Sequence, residues 1–480
     1  MSVLAQTEPK EVFYFFEELS RIPRGTGNTK AVSDYCVRFA KDRGLEVMQD
    51  VWNNVIIKKP GTKGYEESEP VILQGHLDMV CEKTPDSTHD FLKDPISLLI
   101  EDGYVRAKDT TLGADNGIAI AMTLALLDSD SIEHPPIEAL FTTDEETGMD
   151  GAANVDLSGL KGKMLLNLDS EEDDTLIAGC AGGFRFACTL PVQRVARLGT
   201  GLAVEICGLQ GGHSGVEIHK QRGNANKLAG RLLHHLCRQQ KVLLAEMNGG
   251  SKDNVITPGN RSVLVVQEKE TVLKEIDAMK EIWRQEFGKE EPGLDIRVTE
   301  LGEKEYQVLE EESAKRVICF LLHCPNGVDE YSRSLEGLVE TSDNLGVVEM
   351  QKESVRFVVL TRSGKASKLV EFKEKLAALA EMLGGTWQED SAYPAWAFRE
   401  ESRIRPIALQ AFEEVFGKRP VVTTIHAGLE CGLLSGKKPE LDCISFGPNM
   451  RDVHSFRERL EIASTQRIWA VLQKILKLCK

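Results

Sequence analysis

The sequence predicts an α/β protein in two parts: a mixed-sheet domain assembled from residues 1–186 and 396–480, and an α+β domain inserted over 187–395. In the first third, the apolar runs VILQGHLDM (71–79), IEALFTT (137–143) and KMLLNLD (163–169) alternate with the helical run NGIAIAMTLALLD, the pattern of a sheet with crossover helices. A similar run, LDCISFG (441–447), returns near the C-terminus and leads to a helix with apolar spacing from Ala463 to Leu478, so both ends of the chain share one sheet. Between them, strands such as GLAVEICGL and SVRFVVLT accompany surface-type helices such as KASKLVEFKEKLAALAEMLGG. The order of helices and strands recurs around Asn224–Val298 and Ala314–Trp387, as in a duplicated unit.

Composition narrows the function. A chain of 480 residues exceeds one ordinary core, and 41% hydrophobic with 28% charged residues describes an ordered globular protein. The net charge of -17, from 75 acidic and 58 basic side chains, opposes a phosphate-neutralising surface, so no nucleic-acid partner is expected. The apolar stretch Ile118–Leu127 falls short of the ~18 residues of a membrane span. The start, MSVLAQTEPKEVFYFFEEL, lacks a basic segment followed by an uninterrupted apolar one, which reads as an amphipathic helix and a cytoplasmic protein. Eleven cysteines, an odd number without a CxxC pair, read as free thiols. CGLLSGKKP lacks the spacing and terminal hydroxyl of a phosphate-binding loop.

The chemistry-bearing residues lie at strand ends. His76 and Asp78 close the first run, and a two-residue step along a strand directs both side chains to one face. One of the pair can bind a metal while the other fixes its tautomer. Asp115, in GADNG just before the helical run, reads on its own as a helix N-cap. Asp144, Glu145 and Glu146 follow the second run directly, three like charges that require a positive partner. Asp169 follows the third run, and His454 follows LDCISFG after a short loop. Convergence of these residues on the carboxyl edge of a sheet, where open α/β folds build their sites, points to a metal centre of mixed nitrogen and oxygen ligands suited to zinc, manganese or cobalt. No HExxH helix occurs, which excludes the common single-zinc peptidase pattern.

QGHLD, TTLGADNG, TTDEETGMDGA, NLDSEE, GGHSG, NANK, IHAGLECG and the late VHS together resemble the aminoacyl-histidine (Xaa-His) dipeptidases of the dinuclear zinc aminoacylase and carboxypeptidase superfamily, over nearly the whole chain. The resemblance implies a dinuclear metallopeptidase domain with an inserted lid and dimerisation domain, hydrolysing small peptides, preferentially Xaa-His dipeptides, as a homodimer. It implies two divalent ions, zinc foremost, bridged by Asp115, with Glu146 and His454 completing one site and His76 and Asp169 the other. Glu145 is then the general base and Asp78 the residue that orients His76. From the inserted domain, His213 is implied as an oxyanion stabiliser, with Arg362 and Asn254 as substrate-binding residues. A broader dipeptidase, a tripeptidase or an N-acyl amino acid deacylase shares the same centre. The sequence departs from the family pattern around His454, where Asp452, Val453, Phe456 and Arg457 replace the usual glycine or proline positions.

Overall fold

Val71–His76, Ile137–Thr142 and Met164–Asn167 are buried at every residue, as parallel strands covered on both faces must be. In the computed structural model, which describes residues 3–480, they form the centre of an eight-stranded sheet. Its order is Glu46–Gln49, Val55–Lys59, Ile137–Thr142, Val71–His76, Met164–Asn167, Asp442–Ser445, Thr175–Cys180 and Val421–Ile425. The four strands from Ile137–Thr142 to Asp442–Ser445 run parallel. Register places His76 opposite Thr142, and Asn167 opposite Gln74 and Ser445, so four carboxyl ends meet at one edge.

The helix Ala114–Asp128 is apolar around its circumference and almost wholly buried, which suits a helix enclosed on all sides. It packs on the strand Val71–His76 and the helix Lys10–Ser20. Gly75 permits the approach: a Cβ there would lie 2.5 Å from Asn116 Oδ1 and 2.9 Å from the Ala119 Cβ. Leu73, Phe141, Leu166 and Ile444 join this core, and truncating one such leucine to alanine costs about 2–5 kcal/mol.

The chain divides into two units, Met1–Cys180 with Trp396–Thr424 and Leu429–Lys480, and Ala181–Ala395 with Ile425–Gly428. The second starts ahead of residue 187 because Gly182–Pro191 is already a strand of its sheet, paired with Ser354–Ser363 and Thr386–Tyr393. It also takes in Ile425–Gly428, whose Ile425 carbonyl accepts the Ala181 amide at 3.0 Å. This unit is a nine-stranded antiparallel sheet with four long helices, Ala225–Gln239, Lys269–Phe287, Glu311–His323 and Ala366–Met382. Among the described residues no helix is long and apolar enough to cross a membrane. All eleven cysteines are free.

Candidate metal centre and substrate residues

His76 ends its strand, and the chain then turns away, so Asp78 lies beyond the strand and not on it as the two-residue spacing suggested. The two side chains meet nonetheless, His76 Nδ1 standing 3.4 Å from Asp78 Oδ1. Asp78 is fully buried and its carboxylate is saturated: it accepts the backbone amides of Glu145 at 3.1 Å and Glu146 at 3.3 Å, and the Thr26 hydroxyl at 2.8 Å. These bonds and His76 outweigh burial and hold its pKa below the usual carboxylate range.

Asp115 does not cap its helix. Gly113 is the N-cap residue, and Asp115 has non-helical backbone angles, which turns its carboxylate toward the sheet edge. Oδ1 lies 3.2 Å from His76 Nε2, and Oδ2 lies 3.1 Å from His454 Nε2. Asp169 Oδ1 approaches His76 Nε2 at 3.6 Å, and Glu146 Oε2 approaches His454 Nε2 at 3.0 Å. The turn after Ile137–Thr142 is tight, with Asp144 at φ 55° and its Oδ1 accepting the Gly27 amide at 2.7 Å. His454 is reached through a small hairpin, Met450–Arg451 paired with Arg459–Glu461, and not through a short loop. Its tip takes left-handed angles at Asp452 (φ 53°) and His454 (φ 57°), conformations seldom adopted without glycine.

The electrostatics are those of carboxylates crowded around imidazoles. Burial disfavours the charged His76, but Asp169, Asp115 and Asp78 prevail and raise its pKa well above the ordinary value. Hydrogen bonds to Asp115 and Glu146 raise that of His454 to about 11. Burial pushes Asp169 up to about 6. Burial, reinforced by Asp169, Glu146 and Glu430 against His76, pushes Glu145 well above the carboxylate range. One donor atom each from His76, Asp115 and Glu146 fall within 4.8 Å of one another, and Glu146 Oε1 is buried without a hydrogen-bond partner. Two imidazoles and three carboxylates with an unspent buried oxygen fit divalent ions.

The remaining predicted residues lie in the second unit. His213 Nδ1 accepts the amides of Gly215 at 3.1 Å and Val216 at 3.2 Å, so the neutral ring carries its proton on Nε2. Asn254 joins the same loop through its carbonyl, which accepts the Ser214 amide at 2.9 Å. Ser342, Arg362, Gly183 and Tyr393 form one row across four neighbouring strands. A Cβ at Gly183 would lie 2.7 Å from the Tyr393 hydroxyl, and its absence lets that hydroxyl reach Arg362 Nη1 at 2.7 Å. Arg362 is 7% exposed, and its Nε has no hydrogen-bond partner.

The sequence matches the model of peptidase family M20/M25/M40 over residues 72–478. The chain belongs to that family. It is 37% identical over 482 residues to the cytosol non-specific dipeptidase of Escherichia coli K12, covering 99% of both chains. Its structure matches the crystal structure of aminoacylhistidine dipeptidase from Vibrio alginolyticus with a TM-score of 0.90 and 38% identity, over 99% of this chain and 98% of that one. Aminopeptidase PepT from Bacillus cereus, at 15% identity, TM-score 0.58 and 98% and 99% coverage, shares the fold. This M20/M25/M40 member is a metallopeptidase that hydrolyses dipeptides with divalent metal.

Several residues of these sites carry no signal in the sequence reading. His426 Nε2 bonds Ser342 Oγ at 2.7 Å, and burial, then the Arg362 charge, depress its pKa to about 3. Glu430 Oε2 accepts Gln74 Nε2 at 2.5 Å and the Thr142 hydroxyl at 2.7 Å, so a buried carboxyl, pushed by burial to about 7, links the strands ahead of His76 and Glu145. Both lie in IHAGLECG, and the motif itself was the available clue.

Proposed function

We propose that this peptidase cleaves dipeptides, Xaa-His dipeptides by preference, with two zinc ions held by His76, Asp115, Glu146, Asp169 and His454. The observation that carries the reading is the position of Asp115, whose two carboxylate oxygens face different histidines, His76 at 3.2 Å and His454 at 3.1 Å, as a bridging ligand requires. When bound, the ions supply Lewis acidity to the scissile carbonyl and to the attacking water.

Glu145 takes a proton from that water and returns it to the leaving amine. Asp78 holds the Nδ1 side of His76 and, through two amides, the turn bearing Glu145. His213 donates its Nε2 proton to the developing oxyanion. Arg362, with Asn254, receives the substrate's terminal carboxylate, a task suited to a buried guanidinium with an unspent N–H. The family resemblance supports a homodimer in which the inserted domain serves as lid and dimerisation surface. The name of the Escherichia coli relative supports a cytosolic setting.

That same relative is described as non-specific, which favours a second reading, a dipeptidase of broad range. A panel of β-alanyl-histidine, other Xaa-His dipeptides, Xaa-Leu and Xaa-Gly dipeptides, tripeptides and N-acetyl amino acids separates the two. The preferred reading expects the highest kcat/KM on Xaa-His, and equal values across dipeptides would establish the broad one. Preference for N-acetyl amino acids or tripeptides would overturn both.

A further inference from the structure

The loop bearing Asp115 is fastened from two sides by buried charged groups that the scheme above does not use. Glu458, 3% exposed, accepts four consecutive backbone amides. Its Oε2 takes Leu112 at 2.8 Å and Gly113 at 2.9 Å, and its Oε1 takes Ala114 at 2.8 Å and Asp115 at 3.2 Å. Arg24, also 3% exposed, donates to the carbonyls of Leu77 at 2.9 Å and Asp78 at 3.0 Å, and to that of Gly113. Gly113 allows this convergence at φ 70°, since a Cβ there would lie 2.6 Å from both Arg24 Nη2 and Met79 Sδ.

The connectivity gives these contacts meaning. Glu458 lies one helical turn's length of sequence beyond His454, and Leu77 and Asp78 directly follow His76. Arg24 therefore ties the His76 segment to the Asp115 loop, and Glu458 ties that loop to the His454 segment. A carboxylate spread over four N–H groups is fully hydrogen-bonded although buried, which is the condition for keeping a charge inside a protein.

We infer that Glu458 is a positioning residue of the metal centre: by gathering the amides of residues 112–115, it aims the Asp115 carboxylate at both histidines. The inference rests on the ligand roles proposed above. Glutamine at this position keeps the volume but turns an NH2 group toward two of the four amides, so donors face donors and the loop loosens.

Zinc titration by calorimetry of the wild-type protein, Glu458→Gln and Asp115→Asn, with melting curves of the metal-free forms, tests it. The expectation is a folded Glu458→Gln protein whose zinc affinity falls roughly 10- to 100-fold, with kcat reduced, KM nearly unchanged, and partial recovery in Glu458→Asp. Wild-type zinc binding by Glu458→Gln alongside weakened binding by Asp115→Asn would overturn this inference alone. Wild-type binding by Asp115→Asn would overturn the ligand assignment and this inference with it. Hydrogen exchange on the metal-free wild-type protein decides the matter if the variants do not fold: slow exchange at residues 112–115 is expected, and exchange at open-loop rates would contradict the cradle.

Discussion

The carboxylate of Asp78 accepts the backbone amide of Glu145 at 3.1 Å through Oδ1, the same oxygen that stands 3.4 Å from His76 Nδ1. A proposed metal ligand and the turn bearing the proposed base therefore share one anchor. Replacing Asp78 by asparagine places an NH2 group against amides that now find a carboxylate. Zinc affinity should fall roughly 10- to 100-fold, and kcat should fall further than metal loss explains because the Glu145 turn shifts as well. Metal analysis and kinetics at saturating zinc separate the two effects. Full kcat at saturating zinc would show that Asp78 does not act on Glu145.

Arg362 offers a second comparison. Lysine keeps the charge but loses the planar fork and the N–H that now lacks a partner. The Arg362→Lys protein should lose roughly 10- to 150-fold in kcat/KM on dipeptides, the range of a hydrogen bond to a charged group, mainly through KM. C-terminally amidated dipeptides should be cleaved by the variant and the wild type with similar efficiency. Equal losses on acids and amides would remove Arg362 from carboxylate recognition.

His426 predicts a pH dependence of stability. Its folded pKa, about 3, lies below the ordinary 6.5 because of burial and the Arg362 charge. The unfolded state therefore binds the proton more readily, and the stability contributed by neutral His426 is complete above pH 6.5 and is lost as pH falls toward 3. The slope approaches about 1.4 kcal/mol per pH unit within that window. Denaturant melts of the wild type and His426→Gln between pH 6.5 and 4.5 should diverge by that slope, and parallel curves would refute it.

The edge of the sheet was legible in the sequence because parallel strands buried on both faces leave continuous apolar runs, and the residues ending them must gather where the strands end. His76, Asp115, Glu146, Asp169 and His454 accordingly meet within hydrogen-bonding or near-bonding distances. Local rules failed where the backbone departs from regular geometry. Asp115 looked like a cap but has non-helical angles, and His454 sits on a hairpin tip with φ 57°. Glu458 was illegible, and Glu430 and His426 were marked only by the motif that holds them, for a different reason: their partners are amides and side chains far away in sequence, and such contacts leave no periodicity. The Ser342–Arg362–Gly183–Tyr393 row likewise emerges only from strand register.

Metal uptake should release protons. His76 and His454 have pKa values raised by neighbouring carboxylates, His454 to about 11, so in metal-free protein both imidazoles hold their protons to higher pH than a free histidine does. Each must lose its proton to become a ligand, and apparent zinc affinity should climb with pH through the neutral range. Calorimetry in buffers of different ionisation enthalpy measures the protons released. Binding without proton release would contradict the assignment of these histidines.

The most direct test titrates metal-free wild type and Glu145→Gln with zinc while following both binding and β-alanyl-histidine hydrolysis. Wild-type activity, absent after chelation, should rise to a plateau as about two ions bind per chain. The variant should bind the same zinc yet turn over roughly 10²- to 10⁴-fold more slowly. Activity in the stripped wild type, or near-normal turnover by zinc-loaded Glu145→Gln, would contradict the metal-and-base mechanism.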